Sequence, residues 1–457
     1  MVRRFLLALL CGAAPLVSAA QGPVLELEGL PESTVSTDAS APPSVAASAP
    51  ASAAAPAPAP APAPASVAAA PSSVASEKSE TLTDRLTRLA TRTTIGGYGE
   101  HEYYDKEDEI STFVNHRWVL FVYSRMHERI SMATEVEFEF AGSPVKKDGL
   151  LTHGEVLLEF AVVDFELAEW LVLRTGVILV PVGAYNLRHD SPTRDLVERP
   201  IAYTTVIPTT WFESGAGFHG KIPLGTQRVT YELYVVNGLD ARIYDGQGLR
   251  AARGSHIQDN NPDKAFTGRV AYNPTLNVEL GVSGYTGEYD LRQNRVNLGN
   301  IDLLWKLGPL ELTAEAARVS VDEGFVEGFS GGSTANSRDA VPEDMWGYYG
   351  ELDYHFTIGP LWDLFPADMK EATFTGVMRY EGKDTDTART SSAGDARRLT
   401  FGLNFRPIEA FVLKTDYQLE SHGTDEGPAP AEAWNGAFWS GERRARFGFV
   451  ASAAYLF

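Results

Sequence analysis

The chain has 457 residues, with 39 Lys and Arg against 60 Asp and Glu, a net charge of −21. Electrostatic binding to nucleic acid or to an anionic lipid surface needs clustered excess positive charge, so this balance argues against both. After the first twenty positions no run of 18 apolar residues occurs, which excludes a helical membrane span and leaves open a β-barrel, whose strands alternate.

Residues 1–20 read as a secretory signal: Arg3 and Arg4, an apolar core from Phe5 to Leu10, then small residues through Ser18, Ala19 and Ala20. A lipoprotein signal at Cys11 is the alternative, but Leu10 is large where such signals want a small residue. Cys11 is the single cysteine, so the mature chain is expected to have no disulfide, no Cys-based metal site and no cysteine nucleophile. Residues 21–76 are expected to form a disordered periplasmic linker. From Pro42 to Pro71, 24 of 30 residues are Ala or Pro and none is charged. Such a tract cannot continue a helix, has little to bury, and favours an extended polyproline spacer. Over residues 77–92, Leu82, Leu86 and Leu89 at helical spacing predict a short amphipathic helix, either a lead-in to the next domain or an oligomerisation device.

From 93 to 457 the periodicity becomes two. Ile130, Met132, Thr134, Val136, Phe138 and Phe140 alternate with Ser131, Ala133, Glu135, Glu137 and Glu139; Phe401, Leu403 and Phe405 alternate with Gly402, Asn404 and Arg406. A strand with one greasy and one wet side faces two environments. Sixteen such segments are predicted, near 93–104, 111–126, 130–142, 154–168, 171–180, 215–225, 228–238, 265–275, 276–290, 295–308, 310–323, 346–359, 371–384, 397–408, 410–423 and 443–457. Tight turns at Arg406-Pro407-Ile408-Glu409, Gly308-Pro309, Asn273-Pro274-Thr275 and Pro223-Leu224-Gly225-Thr226 alternate with polar loops near 181–214, 239–264, 324–345, 385–396 and 424–442. Sorting of loop lengths by parity is the rhythm of a transmembrane barrel, with short periplasmic turns and long outer loops. A soluble sandwich or propeller has no reason to sort them.

In the last strand Phe447, Phe449, Ala451, Ala453, Tyr455 and Phe457 occupy alternate positions. An apolar, uncapped edge would be an aggregation hazard, so closure of 443–457 on 93–104 is expected. The ending on an aromatic residue resembles the signal by which outer-membrane barrels are recognised for assembly. The fold class is all-β: a closed antiparallel transmembrane barrel of sixteen strands.

Enzyme chemistry is not legible. The nine histidines include no His-x-x-x-His pair, and Gly-x-Ser-x-Gly is absent. Ser421-His422 and Ser255-His256 read as solvated loop residues, because sequence adjacency is not triad geometry. Gly96-Gly97-Tyr98-Gly99 lacks the Lys and Ser/Thr of a phosphate cradle and fits a first strand needing close backbone approach. The loop residues Asp259, Asp263, Asp339 and Asp344 lack the spacing of a cation loop. No cofactor, metal or catalytic group is expected.

The third long loop, 181–214, carries Arg188, Asp190, Arg194, Asp195, Glu198 and Arg199, with Glu213 near its end. Such a mixed set at a constriction would select ions by local field. Its apolar members Val180, Pro181, Val182, Tyr185, Ile201, Tyr203, Val206, Ile207 and Trp211 favour inward packing over a solvated outer loop.

The run Arg174-Thr-Gly-Val-Ile-Leu-Val-Pro-Val-Gly183, then Asn186, His189, Pro192-Thr193, Val197-Glu198-Arg199-Pro200 and Ile207-Pro208-Thr209-Thr210-Trp211-Phe212-Glu213-Ser214-Gly215 resembles bacterial outer-membrane porins related to the phosphate-selective porins O and P. The motif covers about 174–217; the architectural resemblance covers about 93–457. It implies a sixteen-stranded, usually trimeric, passive channel in the outer membrane of a Gram-negative bacterium. Phosphate selectivity there depends on a ladder of lumen arginines with a lysine cluster, which does not align here. The wet faces instead carry Glu135, Glu137, Glu139, Glu232, Glu279, Asp302, Glu311, Glu315, Glu351, Asp353, Glu381, Asp416 and Glu420 against Lys306, Arg379, Arg398, Arg406, Lys414, Arg444 and Arg446. Among these, Glu135, Glu137, Glu139, Glu351, Asp353, Arg398 and Arg406 are expected to line the pore, and the excess of acids predicts a slight cation preference. The expected function is a passive channel for small hydrophilic solutes and ions, embedded in outer-membrane lipid, with no nucleic-acid partner. An anion- or phosphate-selective pore, and a structural or surface-interaction barrel, are the alternatives.

Overall fold

The computed structural model describes residues 91–457 apart from 108, 141–143, 148–149, 245, 254–258, 323–340, 360–365, 367–368, 370–371, 389–393 and 424–442. The chain divides into two units, residues 1–76 and 77–457, and everything below concerns the second. The signal, the linker and all but the last two residues of the expected helix lie outside the described residues; Thr91 and Arg92 form a turn.

The strands are β1 (Thr93–Lys106), β2 (Thr112–His127), β3 (Ile130–Glu139), β4 (Pro144–Lys147), β5 (Leu150–His153) and β6 (Val156–Ala168). They continue with β7 (Leu171–Leu179), β8 (Phe212–Leu224), β9 (Gln227–Val236), β10 (Ala265–Thr275), β11 (Val278–Glu288) and β12 (Arg295–Leu307). The last are β13 (Leu310–Val321), β14 (Asp344–Phe356), β15 (Thr373–Asp384), β16 (Ala396–Ile408), β17 (Phe411–Gly423) and β18 (Arg443–Leu456). Sixteen of them close an antiparallel barrel in which each pairs with its chain neighbours and β1 pairs with β18; β4 and β5 form a separate hairpin inside the connection from β3 to β6. That hairpin is an addition to the sequence expectation.

Closure runs through register Tyr98↔Leu456 to Lys106↔Gly448. Gly97 and Phe457 exchange backbone hydrogen bonds at 3.1 and 3.0 Å, and the Phe457 ring stacks on Trp118 with centroids 5.5 Å apart. A Cβ on Gly97 would lie 2.0 Å from the Val119 carbonyl oxygen and 2.7 Å from the Phe457 ring. Only glycine fits there, which is the use of the Gly-rich first strand.

One rim is made of two-residue turns, at 128–129, 169–170, 225–226, 276–277, 308–309 and 409–410, together with the longer connection 357–372. Pro309 sits in its expected turn, and the other three expected turn prolines are corrected. Pro223, Pro274 and Pro407 lie inside strand ends, and the last two sit where the register of β10 on β11 and of β16 on β17 shifts. A proline cannot donate to the ladder, so a bulge accommodates it. The opposite rim carries the long connections, with short exceptions at 107–111 and 289–294. Ser421 and His422 lie on β17, not in a loop; Ser255 and His256 are outside the described residues.

The period-two pattern has a physical outcome in register. Leu173, Phe218, Leu233, Val270, Val282, Ile301 and Met378 are exposed on the outer face. Their alternate neighbours Arg174, Glu232, Arg269, Asp302, Glu315 and Arg379 point inward, as pairings such as Asp302↔Glu315 and Glu351↔Arg379 require. Outer-face aromatics cluster near both rims, for example Tyr354, Phe356, Phe374 and Phe405 at the short-turn end and Tyr103, Phe113 and Phe449 at the other.

Candidate functional site

The connection between β7 and β8 lies inside the barrel. It holds two single helical turns, α1 (Ala184–Leu187) and α2 (Ala202–Thr205). Val180, Val182, Tyr203, Val206, Ile207 and Trp211 are fully buried and pack against inward residues of β9, β11, β12, β13 and β14, among them Tyr234, Tyr285, Leu298, Val319 and Met345. Each such side chain contributes roughly 1.5–3 kcal/mol by leaving water. Leu239, Ile243 and Leu249, from the next long connection, complete this cluster. Six of the nine apolar residues that argued for inward packing belong to it, and Tyr185 packs against it.

A backbone crossing a lumen must find partners for its amides. Gly183 N–H donates to Ser283 Oγ at 2.9 Å, and Ala184 and Tyr185 N–H donate to the Glu315 carboxylate at 3.1 and 2.8 Å. Tyr349 Oη donates to the same carboxylate at 2.9 Å, as does Tyr203 Oη. Gly183 has φ of 73°, and a Cβ there would press on Glu315 and Tyr203. On the far wall Val197 N–H donates to Asp416 at 2.8 Å and Ile201 N–H to Glu381 at 2.5 Å. Lys414 donates to the Ser191 carbonyl at 2.8 Å, Arg406 to the Pro192 carbonyl at 2.9 Å, and Asn404 to Asp195 at 2.9 Å. The segment therefore bridges the lumen, touching β11 and β13 on one side and β15, β16 and β17 on the other.

The sequence-nominated charges fall into two groups. Arg188 is 47% exposed and pairs with Glu279 at 2.7 Å, and Asp190 is 43% exposed. Asp195 is half-buried. These three meet water. Arg194 is buried, donating to the Val197 carbonyl and Ser191 Oγ at 2.9 Å each and lying 3.4 Å from Glu100. Glu198 accepts from Lys106 and Arg398, both at 2.5 Å, and from Gln418 at 3.0 Å. Burial pushes the Glu198 carboxyl upward, but Arg398 and Lys106 outweigh it and hold it below the ordinary glutamate value. Arg199 is half-buried, and its carbonyl accepts from Arg398 at 2.8 Å. Glu213 belongs to β8, not to the loop, and is buried against the Trp211 indole N–H at 3.1 Å.

Of the nominated lining residues, Glu139, Glu351 and Arg406 keep partial exposure, while Glu135, Glu137, Asp353 and Arg398 are buried. A cavity of about 120 Å³ remains between Tyr185, Arg188 and Asp195 of that segment and Glu311, Glu351 and Asp353 of the wall. Much of the acid excess is paired, although Glu135 Oε1 and Asp353 Oδ1 have no hydrogen-bond partner among the described residues. Arg269 pairs with Asp302 at 2.5 Å and Glu279 at 2.9 Å, Arg379 with Glu351 at 3.2 Å and Glu381 at 3.1 Å, and Lys306 with Glu311 at 2.7 Å.

Sequence reasoning missed Glu100, Glu102, Arg117, Glu159 and Arg269, all inward and buried. Glu100 and Glu102 were available in the alternation of the first strand. Glu159 was hidden by the register shift of β3 on β6 between Glu135 and Val136, which breaks the parity count.

No family model matches the chain. A protein of Aquifex aeolicus (strain VF5), described as uncharacterized, is 28% identical over 349 residues, which cover 72% of this chain and 76% of that one. Among solved structures, the trimer form of OmpT, an outer membrane protein of Vibrio cholerae, is 8% identical with a TM-score of 0.47, covering 80% of this chain and 99% of its own. The anion-selective porin from Comamonas acidovorans is 11% identical with a TM-score of 0.47 at the same coverage. OmpF of Salmonella typhi, in complex with daunomycin, is 10% identical with a TM-score of 0.47, covering 80% and 97%. Membership in the phosphate-selective porin family is not shown by these comparisons.

Proposed function

We propose that this chain is an outer-membrane channel for small hydrophilic solutes and ions, with its passage narrowed by residues 180–211. The observation that carries the proposal is the two-sided wall: an apolar outer face suited to lipid around a lumen of charged and hydrogen-bonding side chains that only water or a polar solute would need. The inserted segment bridges that lumen, so the free path is narrow and passes beside Arg188, Asp195 and Glu351. Selectivity is slight, because most wall acids already face a base and few charges remain to set a field. A phosphate-selective filter would need unpaired cations in series, whereas Arg269, Arg379 and Arg398 each face carboxylates. Assembly as a homotrimer and a periplasmic position for residues 21–76 belong to the same proposal and rest on the resemblance and the composition.

Planar-bilayer recording in a salt gradient tests it, together with liposome swelling in sugars of graded size. Small conductance steps, a reversal potential near zero or slightly toward cations, and exclusion of the larger sugars are expected. A strong anion preference would favour the phosphate-type alternative. A protein that never conducts, even with residues 184–207 deleted, would be a structural or surface-interaction barrel.

A further inference from the structure

Glu135 of β3, Glu159 of β6 and His189 of the inserted segment bring one ligand atom each within 4.8 Å of one another, and all three are buried. The imidazole is oriented from behind: its Nδ1 donates to the Asn186 carbonyl at 2.9 Å, leaving Nε2 to face Glu159 Oε2 at 3.1 Å. In a neutral ring that nitrogen carries a lone pair, which would meet a carboxylate oxygen head on. Thr210 Oγ1 occupies the other oxygen of Glu159 at 2.9 Å. Glu135 Oε1 is buried, in a residue 5% exposed, and has no hydrogen-bond partner among the described residues. Arg117 of β2, the strand beside β3, is already shared between Glu137 at 3.2 Å and Glu100 at 3.6 Å.

We propose that His189 Nε2, Glu159 and Glu135 form a site for a divalent first-row transition metal of the Zn²⁺ type, which clips the inserted segment to β3 and β6. One imidazole and two carboxylates suit such an ion, and the backbone bond to Nδ1 is the outer support that metal-binding histidines use. Tetrahedral Zn²⁺ with bonds near 2.0–2.1 Å holds its ligand atoms ~3.4 Å apart, so the observed 3.1 Å needs almost no adjustment and Glu135, within 4.8 Å, at most ~1.4 Å. The contrasting cluster of Glu100, Glu102 and His116 has no such opening. There one ring nitrogen bonds Glu102 at 2.7 Å and the other bonds Arg117 at 2.8 Å. The site is independent of what the channel carries.

The test uses full-length, tag-free protein in detergent, stripped with chelator, re-exposed to Zn²⁺ with excess Mg²⁺ and Ca²⁺, and passed through a desalting column. Metal retained per chain is read by mass spectrometry. About one Zn²⁺ per wild-type chain is expected, with affinity lowered roughly tenfold or more in His189→Ala and in the near-isosteric Glu135→Gln. Far-UV circular dichroism selects the variants that fold; if His189→Ala does not, Glu135→Gln carries the comparison. Arg318→Gln, at an exposed position of β13 outside both the cluster and the lumen, should bind as the wild type does. Retention by the folded variants equal to that of wild type, or no retained Zn²⁺ in wild type because a shared proton holds the cluster together, would overturn the proposal.

Discussion

Glu315 is the residue whose loss should be felt most by the inserted segment and least by the barrel. Its carboxylate is 3% exposed and accepts from two backbone amides, Ala184 and Tyr185, and from two phenols, Tyr203 and Tyr349. Hydrogen bonds to a charged group contribute about 1.5–3 kcal/mol each, so Glu315→Ala removes a gross ~6–12 kcal/mol. Two effects reduce that. The buried carboxylate's own desolvation cost, several kcal/mol, disappears, and water entering the vacated space satisfies some donors. The net loss falls on docking of the segment and comes to roughly 3–5 kcal/mol, the range for breaking one partner out of a buried charged network. β13 keeps its ladder to β12 and β14, so the wall survives. In single-channel recordings the variant should show larger and noisier steps, and the folded barrel should become cleavable within 184–207. Unchanged conductance and unchanged protease resistance in a folded Glu315→Ala barrel would refute the anchoring role.

Arg188→Gln should shift the reversal potential toward cations without loosening the segment, since the Arg188 side chain is half exposed and, among the described residues, bonds Glu279 alone; Arg194→Gln should instead raise current noise, because its partners are buried. Gly97→Val should abolish the folded barrel, read from the loss of β-sheet circular dichroism, since its Cβ would strike the Val119 carbonyl oxygen. The Glu198 carboxyl is held below its ordinary value, so its anchoring is present above the unfolded-state pKa and is lost as pH falls through the lowered folded one. Conductance should therefore be steady from neutral pH to the ordinary glutamate value and change below it, and Glu198→Gln should flatten that profile.

Strand positions were legible because their cause is local: alternation at Ile130–Phe140 or Phe401–Arg406 records which side of each residue faces outward from the barrel, whatever its neighbours are. Closure was legible too, from the apolar terminal strand and the glycines opposite it. The inward course of the loop could be read from its apolar residues, which no exposed segment would carry. What that loop touches could not. Glu315, Glu381 and Asp416 looked like free lining acids, yet each accepts a backbone amide from a segment more than a hundred residues away in sequence. Arg194 and Glu213 looked like pore charges, and burial removes both from the lumen. The His189, Glu159 and Glu135 cluster was invisible for the same reason, since its members come from a loop and two strands with no fixed spacing. Composition and periodicity thus determined the barrel, because the apolar or polar character of each face of a strand is a local property; the charge pairing and width of its interior were decided by tertiary structure, because a buried charge takes its role from partners that only the closed barrel brings within reach.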